Sequence, residues 1–317
     1  MEMLKKGSSG ARVSRIQDAL KSAGYFNGNI DGIFENETDE AVKRFQSQSG
    51  LPADGMVGAV TWARLFPVEP VSGNLATRCL ALTGLFETGK LSPGCFAAIA
   101  GNFDGQGISY GVLQWNLGQK TLQPLLNEMI TTHPEIMSDI FGNDLDAMQQ
   151  AISGEKQAAL NFANTIQDTT KHVVSPLWRE RFKRLGLTTE FQAIEKSGAS
   201  KYYNNAKNLV ATYSLWSMRG QALMFDICVQ NGSISDAVKT QIMADFSKLS
   251  SRLSREDAEV QKMVIIANRR AEAAIPEYVE IVRKRKLCIA YGKGVVNGIS
   301  YDLATQFGLD LSPIEQE

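Results

Sequence analysis

The stretch that decides the fold of this chain begins with Phe86-Glu87-Thr88-Gly89 and resumes as Gly101-Asn-Phe-Asp-Gly-Gln-Gly-Ile-Ser-Tyr-Gly-Val-Leu-Gln-Trp115. Glu87 closes an apolar helix, and a glycine-rich loop brings Asp104 seventeen residues later. This order can place two carboxyl groups on opposite sides of a cleft. Glycosidic bond cleavage uses such a pair, because one carboxyl protonates the leaving oxygen while the other activates water or stabilises the charged sugar. The stretch therefore predicts a glycan-cleaving enzyme.

The helix before this loop carries its apolar residues on one side. Leu75, Cys79, Leu82 and Phe86 recur at the spacing of a core-facing stripe. Glu87 lies beside that stripe, where partial desolvation is expected to raise its pKa and keep it protonated, as a general acid requires. The simpler interpretation of Glu87 is a solvated residue at a helix end.

The loop that follows has four glycines between positions 101 and 111, which permit tight turns and a close approach of the backbone to a ligand. Asp104 and Ser109 are the polar residues such a loop would present, with Gln106 and Tyr110 beside them. A structural Asp-Gly turn explains Asp104 equally well, so both interpretations stay open. Tyr110 and Trp115 are candidates for stacking on sugar rings, although aromatic residues are also common in cores.

Two families resemble this stretch. Glu87 followed by Asp104-Gly-x-Gly-Ile-Ser109-x-Gly resembles the chitosanase branch of the lysozyme-like superfamily, which implies Glu87 as general acid, Asp104 as general base and Ser109 as the residue holding the attacking water. Glu87-Thr-Gly with Ser109-Tyr-Gly-Val-Leu-Gln114 is also similar to lytic transglycosylases and goose-type lysozymes, which rely on one Glu. Both resemblances imply a lysozyme-like helical fold and Glu87, and they disagree about Asp104.

The first 66 residues contain an internal repeat. Asp31-Gly-Ile-Phe leads to Thr38, and Asp54-Gly-Met-Val leads to Thr61, so each copy joins an Asp-Gly turn to a hydroxyl residue suited to cap the next helix. Helical apolar stripes lie between and before these turns. We expect a small three-helix bundle here.

This segment resembles the peptidoglycan-binding domain of bacterial and phage cell-wall hydrolases. The matching positions include Val13, Gln17, Leu20, Gly24-Tyr25, Asp31-Gly32, Ala41-Val42, Phe45-Gln46, Asp54-Gly55 and Thr61-Trp62. The resemblance implies peptidoglycan as the partner, with Tyr25, Asp31, Asn36 and Gln46 as candidate contacts. The predicted domains are 1–66 for wall binding, a proline-punctuated linker over 67–73, and 74–317 for catalysis.

The predicted fold class is mainly α, with a larger lysozyme-like helical domain that has a short β or loop element after the small bundle. Apolar recurrence near 3.6 residues predicts helices over 122–131, 144–167, 178–184, 201–217, 219–230, 235–249, 254–272 and 276–288. Asp226 interrupts a buried run, and we expect an ion pair with Arg269 or Arg270. The glycines between Tyr291 and Gly298 predict a turn.

Composition excludes several classes of protein. The 33 Lys and Arg residues oppose 34 Asp and Glu residues, so no global field favours nucleic acid or a membrane surface as a partner. Two His residues and four scattered Cys residues predict no metal site, no cofactor and buried, reduced thiols. The N-terminus has no signal-peptide pattern, so we expect synthesis in the cytoplasm, action on the wall after release, and a monomer.

The leading hypothesis is an endolysin-like muramidase that degrades the bacterial cell wall. Its catalytic residues are Glu87, Asp104 and Ser109, and Gln106, Tyr110, Gln114 and Trp115 are expected to contact substrate. The alternatives are a lytic transglycosylase, then a chitosanase, and, from another class, a virion wall-binding protein without catalysis.

Overall fold

A computed structural model describes residues 3–65 and 71–314, so part of the predicted linker, residues 67–70, lies outside the described residues. The buried hydrophobic residues form two separate clusters. The smaller lies within residues 4–65 and the larger within 75–309. The larger cluster contains the whole stripe predicted on the helix before Glu87.

The first cluster is covered by three helices, α1 (Ala11–Ser22), α2 (Asn36–Gln48) and α3 (Ala59–Leu65), as predicted. The buried amide of Gln17 holds the first repeat together. Its Nε2 donates to Asp31 Oδ1 at 2.8 Å, to the Ile33 carbonyl at 3.1 Å and to Thr38 Oγ1 at 3.1 Å. Its Oε1 accepts from the Gly32 amide at 2.9 Å.

Gln46 repeats the same set of bonds in the second copy. Its Nε2 donates to Asp54 Oδ1 at 2.8 Å, to the Met56 carbonyl at 3.0 Å and to Thr61 Oγ1 at 3.1 Å. Its Oε1 accepts from the Gly55 amide at 2.9 Å. Each Asp-Gly turn is therefore tied to the core through one fully bonded buried amide.

The predicted capping role of the two threonines is wrong. Thr38 and Thr61 lie in the third positions of α2 and α3, inside the helices, and the cap residue of α2, Glu35, makes no side-chain cap bond. Both hydroxyls instead accept from the buried glutamine amides, which need an acceptor at that depth.

The larger part of the chain is built mainly from helices. They are α4 (Leu75–Thr88), α5 (Gln123–Thr132), α6 (Pro134–Phe141), α7 (Leu145–Ser153), α8 (Lys156–Thr165), α9 (Pro176–Gly186), α10 (Thr189–Thr212), α11 (Met218–Asn231), α12 (Asp236–Phe246), α13 (Arg255–Glu272), α14 (Val279–Tyr291) and α15 (Leu303–Phe307). Most of α11 is buried, and it contacts α4, α10 and α14. These contacts bring the C-terminal part of the chain against the helix that ends near Glu87.

Residues 71–314 also contain three small antiparallel sheets. The first joins β1 (Ile99–Ala100), β2 (Ser109–Tyr110) and β3 (Trp115–Asn116), and the second joins β4 (Gln167–Asp168) to β5 (Val173–Val174). The third pairs β6 (Lys293–Val296) with β7 (Ile299–Asp302). The first sheet is the short β element that the sequence predicts.

The helix predicted over 201–217 is α10, which begins at Thr189 and ends at Thr212. Two further predicted elements also need correction. The helix predicted over 144–167 is two helices, α7 and α8, because Gly154 leaves the helical conformation between them. The turn predicted between Tyr291 and Gly298 belongs to the β6–β7 hairpin, whose two-residue loop is Asn297-Gly298 with φ of 50° and 77°. Asn-Gly between strand residues is the usual signal for such a loop.

The cysteine prediction is confirmed, because Cys79, Cys95, Cys228 and Cys288 are all buried and free. Within residues 3–65 and 71–314, no helix has the length and apolar character that a bilayer crossing needs. In the same described part of the chain, no three His, Cys, Asp or Glu side chains come together as metal ligands.

Candidate active site

Glu87 is the penultimate residue of α4. The Asn74 side chain caps the start of this helix by accepting from the Thr77 amide at 3.0 Å. Gly89, with φ of 66°, ends the helix in the left-handed conformation that glycine adopts without a steric penalty. Phe86 is buried, whereas the Glu87 side chain keeps 21% of its surface exposed. The last turn of the helix thus places the Glu87 carboxyl group at the surface, directly after the buried Phe86.

The Glu87 carboxylate is held by Arg285 of α14. Arg285 Nη2 donates to Glu87 Oε1 at 2.7 Å, and the guanidinium carbon lies 4.9 Å from the centre of the Phe86 ring. The sequence predicts a neutral Glu87 held by burial. The structure shows less burial than expected, because the side chain keeps 21% of its surface exposed and its Oε1 accepts from Arg285.

Asp226 of α11 lies behind this ion pair. It is fully buried and accepts from Arg285 Nη2 at 2.6 Å and from Arg285 Nε at 2.9 Å. Lys286, also fully buried, donates to the second Asp226 oxygen and to Gln230 Oε1 at 2.6 Å. Two cations and two carboxylates therefore form one connected cluster under the surface.

Charge and burial oppose each other in this cluster. Burial raises the pKa of Asp226, but the neighbouring Arg285 and Lys286 outweigh it and lower that pKa to about 2. Burial lowers the pKa of Lys286 to about 8, although Asp226 acts in the other direction. Asp226 is therefore charged at neutral pH, and Arg285 is shared between it and Glu87.

The partner predicted for Asp226 is wrong. Arg269 instead bonds Asp245 at 2.7 Å and Glu272 at 2.9 Å. The cations that do pair with Asp226, Arg285 and Lys286, lie 59 and 60 residues further along the chain. An ion pair over that separation leaves no periodic signal in the sequence.

Asp104 and Gln106 lie in the β1–β2 loop. Asp104 is exposed, and its Oδ1 accepts from the Gln106 amide at 3.0 Å, which is the bond of an Asp turn. Gln106 Oε1 accepts from Lys156 Nζ at 2.8 Å. Asp104 therefore forms the predicted Asp-Gly turn. Its other carboxylate oxygen, Oδ2, makes no hydrogen bond to a described residue.

Ser109 begins β2 and faces Asn116 across the sheet. Its Oγ accepts from Asn116 Nδ2 at 3.1 Å, and its side chain is half-buried. Asn116 is itself 4% exposed and fixed by the neighbouring loop, since its Oδ1 accepts from the Gln119 amide at 3.1 Å. The Ser109 hydroxyl is therefore held in one orientation beside the Asp104 loop.

Gln114, Tyr110 and Trp115 support the sheet. Gln114, at φ of 53°, donates to the Ala98 and Gly111 carbonyls at 3.1 and 2.9 Å. Tyr110 is fully buried, and Trp115 is 3% exposed. The predicted sugar contacts of these two aromatic residues are therefore wrong, because they face the core.

The turn between β2 and β3 packs directly against α4. A Cβ atom on Gly84, three residues before Glu87, would lie 2.5 Å from a Val112 methyl carbon, so glycine is required there. The Val112 amide donates to Glu195 Oε2 of α10 at 3.2 Å. Glu195 is fully buried, and desolvation raises its pKa well above the usual range for a Glu. A neutral carboxyl group therefore anchors the turn between β2 and β3.

The candidate wall contacts in the first domain differ in accessibility. Asn36 is exposed at the start of α2, and Tyr25 is half-buried, with its ring 5.6 Å from Phe45. Asp31 and Gln46 are committed to the repeated networks, and Gln46 is 1% exposed. The prediction of a ligand contact for Gln46 is therefore wrong, because its side chain is enclosed and its amide is used internally.

Sequence reasoning missed four side chains at the site, and each lies far along the chain from its partner or carries no motif. They are Asn116, Glu195, Arg285 and Lys286. The Arg283-Lys-Arg285 run and the buried position of Asp226 were the only available signals for the ion-pair cluster.

Three comparisons with known proteins match different lengths of the chain. Residues 9–65 match the family described as putative peptidoglycan binding domain. The chain is 40% identical over 60 residues to the spore cortex-lytic enzyme of Bacillus cereus, which is 19% of this chain and 23% of that protein. It is 43% identical over 61 residues to the N-acetylmuramoyl-L-alanine amidase CwlL of Bacillus licheniformis, which is 19% of this chain and 17% of that one. The chain thus matches less than a quarter of the length of either relative.

The third likeness is to a solved structure. A mutant chitosanase from Bacillus subtilis MY002, complexed with 6 GlcN, aligns with a TM-score of 0.50 and 14% identity, covering 74% of this chain and 97% of that chain. At this identity the likeness concerns the fold alone. The predicted fold class is confirmed: a small helical domain that matches the putative peptidoglycan binding domain family comes first, and a larger, mainly helical domain with a fold similar to that of a chitosanase follows.

Proposed function

We propose that this protein binds peptidoglycan through residues 9–65 and hydrolyses the glycan strands of the bacterial cell wall through the helical domain that follows. The family match of the first domain supports wall binding. The observation that carries the catalytic part is Glu87, a partly exposed carboxyl group that is held by Arg285 on a helix contacting the turn after Ser109.

The contact between Arg285 and Glu87 is compatible with a general acid. Only Oε1 of Glu87 accepts from Arg285. When Glu87 takes up a proton, Oε1 can keep that bond as a carbonyl oxygen while Oε2 carries the proton to the bridging oxygen of the glycan. Because Asp226 also binds Arg285, the guanidinium stays in place throughout, and its role is to fix the orientation of the Glu87 carboxyl group.

Asp104 and Ser109 complete the proposed hydrolysis. Asp104 keeps one carboxylate oxygen outside its turn, and that oxygen can accept a proton from the attacking water. The Ser109 hydroxyl, held by Asn116, can order the same water. In this mechanism the proton leaves water for Asp104, the hydroxide forms a bond to the anomeric carbon, and the bridging oxygen departs with the proton of Glu87.

One observation favours a second candidate, a lytic transglycosylase. Asp104 Oδ1 is already used by the Gln106 amide, so Asp104 can be a purely structural residue. In that reaction a hydroxyl of the sugar attacks in place of water, and Glu87 is the only carboxyl group required. Chitosan is the third substrate class to test, since the fold is similar to that of a chitosanase.

The products of peptidoglycan digestion test this proposal. Mass spectrometry of strands treated with the wild type should reveal new reducing ends on muramic acid, as muramidase action requires, and Asp104→Asn should abolish them. Anhydro ends that persist in Asp104→Asn would instead establish the transglycosylase. Glu135→Gln, an exposed helix residue, serves as the control for carboxyl loss.

The setting of this activity belongs to the same proposal. We propose a monomer that is made in the cytoplasm and reaches the wall on release, as an endolysin does. The two relatives described above are bacterial proteins, and the wall-binding match of the first domain, together with the absence of a signal-peptide pattern, supports the endolysin-like setting.

A further inference from the structure

Phe103, the residue immediately before Asp104, is displayed to solvent with 69% of its surface exposed. Its ring lies 5.5 Å from the imidazole ring of His172, centre to centre, at an angle of 49°. Val173, the next residue after His172, is 44% exposed. An apolar surface made of Phe103, His172 and Val173 therefore lies beside the exposed carboxyl group of the β1–β2 loop.

The backbone around Phe103 is held from both sides. The Phe103 amide donates to the Gly101 carbonyl at 3.0 Å, and the Asn102 side chain accepts from the Gly107 amide at 2.8 Å. The Asn102 amide donates to Gln167 Oε1 at 2.9 Å, which ties the loop to the β4–β5 hairpin. The position of Phe103 is therefore determined by its neighbours.

The β1–β2 loop and the β4–β5 hairpin also meet at Gly101. A Cβ atom there would lie 1.9 Å from the His172 carbonyl oxygen, so only glycine allows this approach. His172 has φ of 54°, an uncommon conformation for a residue with a side chain. The two segments thus place the rings of Phe103 and His172 side by side at the surface. The exposed apolar area of Phe103 gains no stabilisation from burial in the core.

We propose that Phe103, supported by His172, is a stacking platform for one pyranose ring of the glycan next to the cleavage site. The C–H face of a sugar ring is apolar and packs against the negative face of an aromatic ring. Asp104, the next residue along the chain, is exposed and adds a polar group beside the platform, a combination typical of ligand sites. This inference rests on the proposed function and adds a substrate-binding residue to it.

The test uses substitutions at position 103 with soluble, short glycan fragments of peptidoglycan. Phe103→Ala should raise KM about fivefold, as expected from the loss of one aromatic contact, and leave kcat unchanged. Phe103→Trp should retain the wild-type KM. Ile275→Ala, which removes a side chain that is 65% exposed elsewhere on the domain, should have no effect on KM.

A spectroscopic measurement separates this platform from binding by the first domain. In a Glu87→Gln background, the fluorescence of Phe103→Trp should shift to shorter wavelength and saturate as the fragments are added, whereas Ile275→Trp should not respond. An unchanged KM for Phe103→Ala, or a Phe103→Trp spectrum indifferent to the fragments, would overturn the platform while leaving the role of Glu87 intact. Wild-type protein that cleaves no glycan would instead overturn the proposed function.

Discussion

At the scale of single residues, the central feature is the sharing of Arg285 between Glu87 and Asp226. Nη2 of its planar, forked guanidinium group lies 2.6 Å from Oδ1 of the buried Asp226 and 2.7 Å from Oε1 of the partly exposed Glu87. Lysine offers one compact ammonium group in place of that fork. A lysine at position 285 would keep the charge but could not hold both carboxylates in these positions.

We therefore predict that Arg285→Lys lowers kcat on glycan strands by at least about tenfold, since Glu87 loses its fixed orientation. KM should change little. Steady-state kinetics measure both, and circular dichroism verifies the fold. Arg269→Lys, at an ion pair with Asp245 and Glu272, is the matched control and should keep the wild-type kcat. A normal kcat for Arg285→Lys would show that Arg285 does not position the acid.

Asp226 makes a pH-dependent contribution to stability. Its pKa in the folded protein, about 2, lies below the ordinary value of 3.8, so its contribution is complete above pH 3.8 and is lost as the pH falls towards 2. The loss should amount to ~2 kcal/mol. We predict that the difference in unfolding free energy between wild type and Asp226→Asn shrinks by this amount between pH 5 and pH 2 in urea titrations. A difference that is constant with pH would contradict the charge balance described for this cluster.

At the scale of elements, many helix positions can be predicted from the sequence, whereas the contacts between helices cannot. The stripe of α4, its end at Gly89, the start of α13 at Ser254 and the three helices of the first domain were all predictable, because capping and periodicity are local. The break at Gly154 and the β6–β7 hairpin were not recognised, although Asn297-Gly298 is a readable turn signal. The burial of Tyr110 and Trp115 depends on helices far along the chain. Apolar periodicity within a short segment does not reveal which distant helices cover it.

The repeated Gln networks yield a prediction for the first domain. Gln46→Leu should lower its unfolding free energy by about 1 to 3 kcal/mol, because Asp54 and the Gly55 amide lose their buried partner. Amide hydrogen exchange within residues 3–65 measures the change. Gln48→Leu, an exposed residue of the same helix, is the control. Equal protection in both variants would mean that the Gln46 network does not stabilise the bundle.

The buried Glu195 supports the β2–β3 turn as a neutral group. Since its folded pKa is raised by desolvation, its contribution is complete below the unfolded pKa and declines as the pH rises above it. Glutamine keeps an oxygen for the Val112 amide and does not ionise. We therefore predict that Glu195→Gln has a higher Tm than wild type at pH 7.5, with a smaller gain at pH 4.5. A gain independent of pH would indicate that Glu195 is charged in the folded protein.

At the scale of the whole molecule, 33 positive and 34 negative residues nearly cancel, so no net charge attracts a ligand. Ligand recognition therefore depends on local sites. The residues at the proposed site come from both ends of the larger helical domain, since Glu87 and Arg285 are 198 residues apart. The sequence pattern suggests Glu87, Asp104 and Ser109 as candidates because they lie within 23 consecutive residues. That pattern gives no sign of the ion-pair cluster that holds Glu87, because the cluster depends on the packing of α4, α11 and α14.

The central claim, proton donation by Glu87, is tested most directly by single-turnover cleavage of purified glycan strands. The account predicts that Glu87→Gln binds these strands as the wild type does but cleaves them at least about a thousandfold more slowly, because the glutamine amide has no acidic proton to give. Glu135→Gln should cleave at the wild-type rate. A Glu87→Gln protein that cleaves the strands as fast as the wild type would contradict the account.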